Sequence, residues 1–218
     1  MSLASSDATR ILHVIGSPKA DDSTSTRVAR AFLEGCLAAG SRKNAQQQSV
    51  TTLDVWKADL PHFDRELAIA KLAPIMDEER TASQTSAWAR IEAVIEDFAR
   101  FDKIVLSTPM WNFSLPYRLK HYIDLLVQPG LTFGLDRAMQ HVGLLSDRPV
   151  QLILTRSSPF PEGSPEDFQL PYLRHVFAFI GLRDVRSLIV EGTTLPAKAR
   201  EEFVTRQCER ARSAGASF

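Results

Sequence analysis

Three clusters of residues in this chain have the types and spacing to do chemistry. The first is Gly16-Ser17-Pro18 followed by Ser23-Thr24-Ser25. Its hydroxyls stand where an apolar run ends and a helical pattern begins, and a helix N-terminus offers free amide hydrogens and partial positive charge to a phosphate. The spacing is neither Gly-x-x-x-x-Gly-Lys-Ser/Thr nor Gly-x-Gly-x-x-Gly, so a monophosphate fits better than a triphosphate or a pyrophosphate. The second cluster is Pro109-Met110-Trp111-Asn112-Phe113, which places a thioether, an amide and two aromatics in four consecutive positions. That mixture suits a flat, partly polar ring. The third is Thr155-Arg156-Ser157-Ser158, polar and followed by Pro159, able to bond the far edge of the same ring. Each cluster alone also reads as ordinary structure: Ser23 or Ser25 as a helix cap, Asn112 in a side-chain-to-backbone turn, Thr155 to Ser158 as a strand exit.

The elements around them must bring the three together. Ile11 to Ile15 reads as a buried strand, Ser25 to Ala39 as a helix stopped by Gly40, and Ser49 to Val55 as a second strand. Asp59 to Met76 is less regular, with a short helix after Pro61 broken at Pro74. From Ser83, Trp88, Ile91, Val94, Ile95 and Phe98 recur at three- and four-residue spacing, an amphipathic helix that feeds a third strand at Ile104. Pro116 to Val127 predicts a helix with Pro116 in its first turn. Pro149 to Leu154 is a fourth strand, Phe168 to Ile180 a helix, Val185 to Val190 a fifth strand and Pro196 to Arg212 a last helix. Strands alternating with helices mean an α/β fold, a parallel sheet covered on both faces. Right-handed crossovers make it a doubly wound, three-layer sandwich in the flavodoxin-like order 2-1-3-4-5, with ligands bound beyond the carboxyl ends of the strands. The three clusters follow strands one, three and four. Residues 1–9 read as a disordered lead-in, 10–218 as one domain, and 59–83 as an insertion forming a flap or an interface.

The bulk composition removes other classes. Twenty-six Lys and Arg balance 26 Asp and Glu, which gives no electrostatic reason to expect nucleic acid or an anionic membrane. No apolar run approaches the roughly 20 residues that cross a bilayer, and the first residues lack the pattern of a secretory signal. The two cysteines, Cys36 and Cys208, have no metal-ligand spacing and read as reduced thiols of a cytoplasmic protein. The five histidines do not cluster, so no metal site is expected, and His141 and His175 read as surface or interface residues.

The stretch Pro109-Met110-Trp111-Asn112-Phe113-Ser114-Leu115-Pro116, continued by Leu119-Lys120, Ile123-Asp124 and Gly130-Leu131-Thr132-Phe133, resembles the FMN-dependent NADH-azoreductase family, among the flavodoxin-like NAD(P)H:quinone reductases. Ser17-Pro18 with Ser23 to Ser25, Leu60-Pro61, and Pro171 to Gly192 support the likeness. The resemblance implies a homodimeric flavoenzyme whose protomers jointly shape each substrate pocket. It implies that Ser17, Ser23, Thr24 and Ser25 hold the FMN phosphate. Pro109, Met110, Trp111, Asn112 and Phe113 would line the isoalloxazine, and Thr155, Arg156, Ser157 and Ser158 would face its pyrimidine edge. Asn112 and Thr155 are the nearby tuning groups. Trp111 stands where the family often has Tyr, Ser157-Ser158 where two glycines are common, and Leu135 where a tyrosine often follows the Thr-Phe pair.

The flavin carries the hard chemistry and the protein positions and tunes it. The expected activity is therefore two-electron transfer from NADH or NADPH through FMN to quinones or azo compounds by a ping-pong mechanism, with no side-chain nucleophile. Two readings from other classes compete: a one-electron carrier, against which the zero net charge argues because such carriers are strongly acidic, and a flavin-less scaffold that shares only the fold.

Overall fold

The structure, a computed structural model, describes residues 8–42, 47–161 and 163–218. Most of the expected lead-in, residues 1–7, lies outside the described residues, and Thr9 already opens a strand. Five parallel strands form the main sheet: β1 (Thr9–Ile15), β2 (Gln48–Asp54), β3 (Lys103–Pro109), and two later ones, β6 (Val150–Thr155) and β7 (Val185–Val190). Their order is β2-β1-β3-β6-β7, which is the predicted 2-1-3-4-5 once the main-sheet strands are counted in sequence. Between β3 and β6 the chain adds a two-stranded antiparallel hairpin, β4 (Phe133–Leu135) and β5 (His141–Gly143), which the sequence pattern did not announce.

Residues on alternate sides of each central strand enter two different cores, as the two-residue period of a strand requires. Leu12, Val14, Ile104, Leu106, Leu152 and Leu154 face α3 (Ala82–Ala99), α4 (Tyr117–Leu126) and α5 (Leu170–Phe179). Ile11, Val105, Ile153, Leu188 and Val190 face α1 (Thr24–Arg42) and α6 (Ala197–Gly215). The short helix expected after Pro61 is α2 (Arg65–Leu72), capped by the Asp64 carboxylate on the Leu67 amide at 3.1 Å and followed by a 3₁₀ turn, Ala73–Met76, at Pro74. Thr81 and Gln84 make a reciprocal capping box at the start of α3, satisfying two amides that a helix start leaves free.

Two features lock the layers. A Cβ on Gly35 of α1 would stand 2.0 Å from the Arg212 carbonyl oxygen of α6, and one on Gly215 would stand 2.0 Å from that of Phe32. These helices therefore touch backbone to backbone. Thr132 of the Gly-x-Thr-Phe motif is buried and closes α4: its hydroxyl donates to the Leu126 carbonyl at 2.7 Å and accepts from the Gln128 amide at 2.9 Å.

Candidate functional site

The β1–α1 loop is bound tightly to its surroundings. The Gly16 amide donates to the Ser107 carbonyl at 2.8 Å, and the Trp56 indole N–H to the Gly16 carbonyl at 3.0 Å. A side chain at Gly16 would meet Leu119 and Thr108 within 3.0 Å, so glycine lets the loop descend onto β3 and α4. Ser23 is extended and its carbonyl accepts from the Arg27 amide at 2.9 Å, which places it at the head of α1. Its hydroxyl lies 2.9 Å from that of Ser25. Both are buried, as are Ser17 and Thr26, and the Thr26 hydroxyl has no partner among the described residues. The first turn of α1 itself carries no acidic residue, although Asp22 just before it lines the same cleft.

A cleft of about 540 Å³ opens here. Ser17, Ser23 and Thr24 line one side and Pro109, Trp111 and Thr155 another, so residues from all three sequence clusters meet in one concavity. The far wall comes from Thr193, Thr194 and Leu195 beyond β7 and from Arg200 and Glu201 of α6. Sequence reasoning missed that wall; its signal was a polar loop after the fifth strand, the same signal used for the fourth. The Arg27 guanidinium is taken by Glu201 at 2.8 and 2.5 Å, and this bonding holds the Glu201 carboxyl below its ordinary range.

The β3–α4 loop is different. Trp111 and Ser114 exchange backbone hydrogen bonds at 3.0 and 2.9 Å, and between them Asn112 and Phe113 both adopt left-handed backbone, φ 46° and 67°. That is a tight turn of the primed kind, usually built with Asn or Gly; a Phe there is strained. Their two amides have no partner among the described residues, whereas the Met110 amide is spent on the Thr155 carbonyl at 2.8 Å. Trp111 and Phe113 are 40% and 51% exposed. Trp56, also missed, stands 5.9 Å from Trp111 and 5.1 Å from Tyr117, ring to ring. Its position just past the carboxyl end of β2 was the available clue. Arg118 fixes that segment by donating to the Val55 and Ala58 carbonyls at 3.0 and 3.1 Å.

In the third cluster only Thr155 lines the cleft. Ser157 and Ser158 are exposed, without partners for their amides among the described residues. Arg156 turns inward, 3% exposed, and its amide is committed to the Val190 carbonyl at 2.9 Å. Ser25 likewise is fully buried against Ser23, and Met110, Asn112 and Phe113 lie outside the concavity. A larger hollow of about 950 Å³ lies past Tyr117, between His62 to Lys71 and α4. There Asp64 already caps α2 and Lys120 pairs with Asp124 at 2.6 Å, so the open helix N-terminus that suits an anion belongs to the smaller cleft. No group of acidic, histidine or cysteine side chains that could hold a metal ion occurs among the described residues.

Below the site, His13 of β1 is buried against the Ser107 hydroxyl at 2.9 Å. Burial, helped by the nearby positive charge of Arg30, pushes its pKa down to about 4, so the ring is neutral at pH 7.

The family of flavodoxin-like fold matches residues 9–214. An FMN-dependent NADH:quinone oxidoreductase of Nitratidesulfovibrio vulgaris is 41% identical over 186 residues, 84% of this chain and 86% of that one. A protein of Burkholderia lata with the same description is 34% identical over 216 residues, 96% of this chain and 100% of that one. Among solved structures, azoreductase AzrA superposes with a TM-score of 0.81 at 25% identity, covering 96% of this chain and 100% of that one. An FMN-dependent NADH-azoreductase of Bacillus anthracis, solved in complex with FMN, gives 0.80 at 22%, covering 96% and 98%.

Proposed function

This chain belongs to the flavodoxin-like fold family alongside the FMN-dependent NADH:quinone oxidoreductases, and we propose that it is itself an FMN-dependent oxidoreductase. FMN held in this cleft would supply two-electron chemistry between NADH or NADPH and a quinone or azo compound, by a ping-pong mechanism. The carrying observation is that the hydroxyl-rich N-terminus of α1 shares one cleft with Trp111 and Thr155 at the ends of β3 and β6. The buried, unpartnered Thr26 hydroxyl and the free Asn112 and Phe113 amides fit such a group.

Ser17, Ser23 and Thr24 bind the phosphate, with Ser25 orienting Ser23. Pro109 and Trp111 would support the ring in the cleft, and the free amides of Asn112 and Phe113, just beyond the concavity, would offer donors at its outer edge. Thr155, with the amides of Ser157 and Ser158, attends the opposite edge. Met110 fixes the loop through Thr155, and Arg156 serves from behind. No side chain is required as a general acid; water delivers the remaining proton. The ring end is open in the single chain, which supports a homodimer in which a partner subunit completes the substrate pocket. The 59–83 segment, with Leu72, Ile75 and Met76 exposed, is our candidate interface within one domain. Two free cysteines support a reducing, cytoplasmic setting.

The test is an anaerobic visible spectrum of FMN-reconstituted protein. One equivalent of NADH should bleach the flavin bands in one step, and a quinone should restore them. Bound FMN that neither NADH nor NADPH bleaches would refute the enzyme; FMN that is not retained would refute the site.

A further inference from the structure

We propose that Arg156 is a positioning residue that sets acceptor selection at the ring end without touching the phosphate end. The proposal rests on the flavin reading above. The Arg156 guanidinium sits among three acceptors from two segments, the turn before α5 and the end of β7: Asp167 at 2.7 Å, the Gln169 side-chain oxygen at 3.3 Å and Glu191 at 3.5 Å. It also lies 5.4 Å over the Phe160 ring. Glu191 in turn accepts the Phe160 amide at 3.0 Å, and the other Asp167 oxygen accepts the Gln169 and Leu170 amides that open α5, at 3.0 and 3.1 Å. One buried cation therefore fixes Phe160 from above and, through Asp167, the chain that arrives at Phe168.

Both of those residues hold the strained turn. The Phe168 amide donates to the Phe113 carbonyl at 3.1 Å, and the Phe160 ring stands edge-on to that of Phe113, 6.5 Å between centroids. A bulky residue in left-handed backbone persists only where its surroundings over-determine it; here those surroundings run back to Arg156. The side chain thus governs where the half-exposed Phe113 and its neighbour Phe160 present their rings to an incoming acceptor. The Arg156 backbone serves the other end: its carbonyl accepts from the Thr193 amide and hydroxyl at 3.1 and 3.0 Å. A side-chain substitution leaves that link in place, which predicts separable effects.

The experiment compares Arg156→Gln, Arg156→Lys and Phe160→Ala with the unaltered protein. Amide hydrogen exchange at Phe160 and Phe168 is followed in the protein without flavin, alongside FMN affinity and the KM for a bulky naphthoquinone and a small benzoquinone. Arg156→Gln should lose protection at both amides and raise the naphthoquinone KM about tenfold, with FMN affinity within about threefold, because a buried fork of hydrogen bonds is lost only at the ring end. Arg156→Lys should fall between, since it keeps charge but not the planar fork. Phe160→Ala, which leaves the ion pairs intact, should shift the naphthoquinone KM more than the benzoquinone KM. Unchanged exchange in Arg156→Gln, or equal loss of FMN affinity and acceptor KM, would overturn the proposal. If Arg156→Gln does not fold, an unchanged quinone preference in Phe160→Ala overturns it instead. Absence of FMN binding in the unaltered protein would refute the flavin reading, while the exchange data on the flavin-free protein still judge the Arg156 linkage.

Discussion

The two ends of the cleft are built on opposite principles. The α1 end is made of buried hydroxyls on a regular helix whose later turns meet α6 backbone to backbone. The ring end is a two-residue turn in left-handed backbone with exposed aromatics, held by side chains from elsewhere. A fixed anion is best served by donors that are already rigid, because no ordering cost remains at binding. A ring face that must admit successive partners has to stay open, and strain concentrates at such sites. Substitutions at the first end should therefore cost stability and cofactor together, and those at the second should separate them.

The largest effect is expected farther along α1, where it meets α6. Gly35→Val would drive a branched side chain into the Arg212 carbonyl, and two backbones cannot part without opening the α1–α6 core. Overpacking of this kind should cost about 3 kcal/mol or more, read as a fall in the urea midpoint with FMN binding lost in parallel. If the midpoint holds, α1 is not locked as described.

His13, below the site, offers a test by pH. Its folded pKa is about 4, against about 6.5 for a free imidazole. Between those values the unfolded chain binds a proton that the folded one refuses, so stability falls as pH drops from about 6.5 and levels off below about 4. The difference of about 2.5 units corresponds to about 3 kcal/mol. A denaturation series at pH 7, 5.5 and 4.5 on the protein and on His13→Gln should show a steeper fall with the histidine present, over the smaller slope both share from carboxylates such as Glu201. At the α1 end itself, Ser23→Ala should cost about 1 kcal/mol of stability and weaken FMN about tenfold through loss of a hydroxyl on a charged group. Riboflavin, which has no phosphate, should bind both proteins equally; a parallel loss for riboflavin would move Ser23 out of the phosphate site.

The same contrast decides what the sequence disclosed. The central strands β1, β3 and β6 were legible because they are buried on both faces and read as unbroken apolar runs, Ile104-Val105-Leu106 being the plainest, whereas the edge strand β2 showed only through Val50, Leu53 and Val55 among polar residues. The α1 end was legible too, since its hydroxyls are contiguous and stand at a strand-to-helix junction. The hairpin Phe133–Leu135 with His141–Gly143 was not, because three-residue strands containing Gly134 and Gly143 carry no periodicity. Arg156 looked like one more polar loop residue. Its partners Asp167, Gln169 and Glu191 stand 11, 13 and 35 positions away, and no local pattern announces an ion pair closed by tertiary structure. Thr193 to Leu195 line the cleft and Trp56 stands against Trp111 from strand ends that offered no motif, only position.

The smallest effect should carry the opposite sign. Phe113 holds φ 67° with its side chain half in solvent, so it keeps a strained backbone without the full benefit of burial. Glycine has no Cβ to clash in that conformation, and Phe113→Gly should relieve strain on the order of 1 kcal/mol. Against this stand the greater freedom of glycine in the unfolded chain and the lost contact with Phe160. The net change should be a small gain or no change in the urea midpoint, with FMN affinity kept and acceptor KM raised. Stability rising while function falls would mark a turn whose strained residue is retained for its ring. A clear loss of stability would mean that the Phe113–Phe160 contact outweighs the strain, and that the ring end is held by packing as firmly as the helix end.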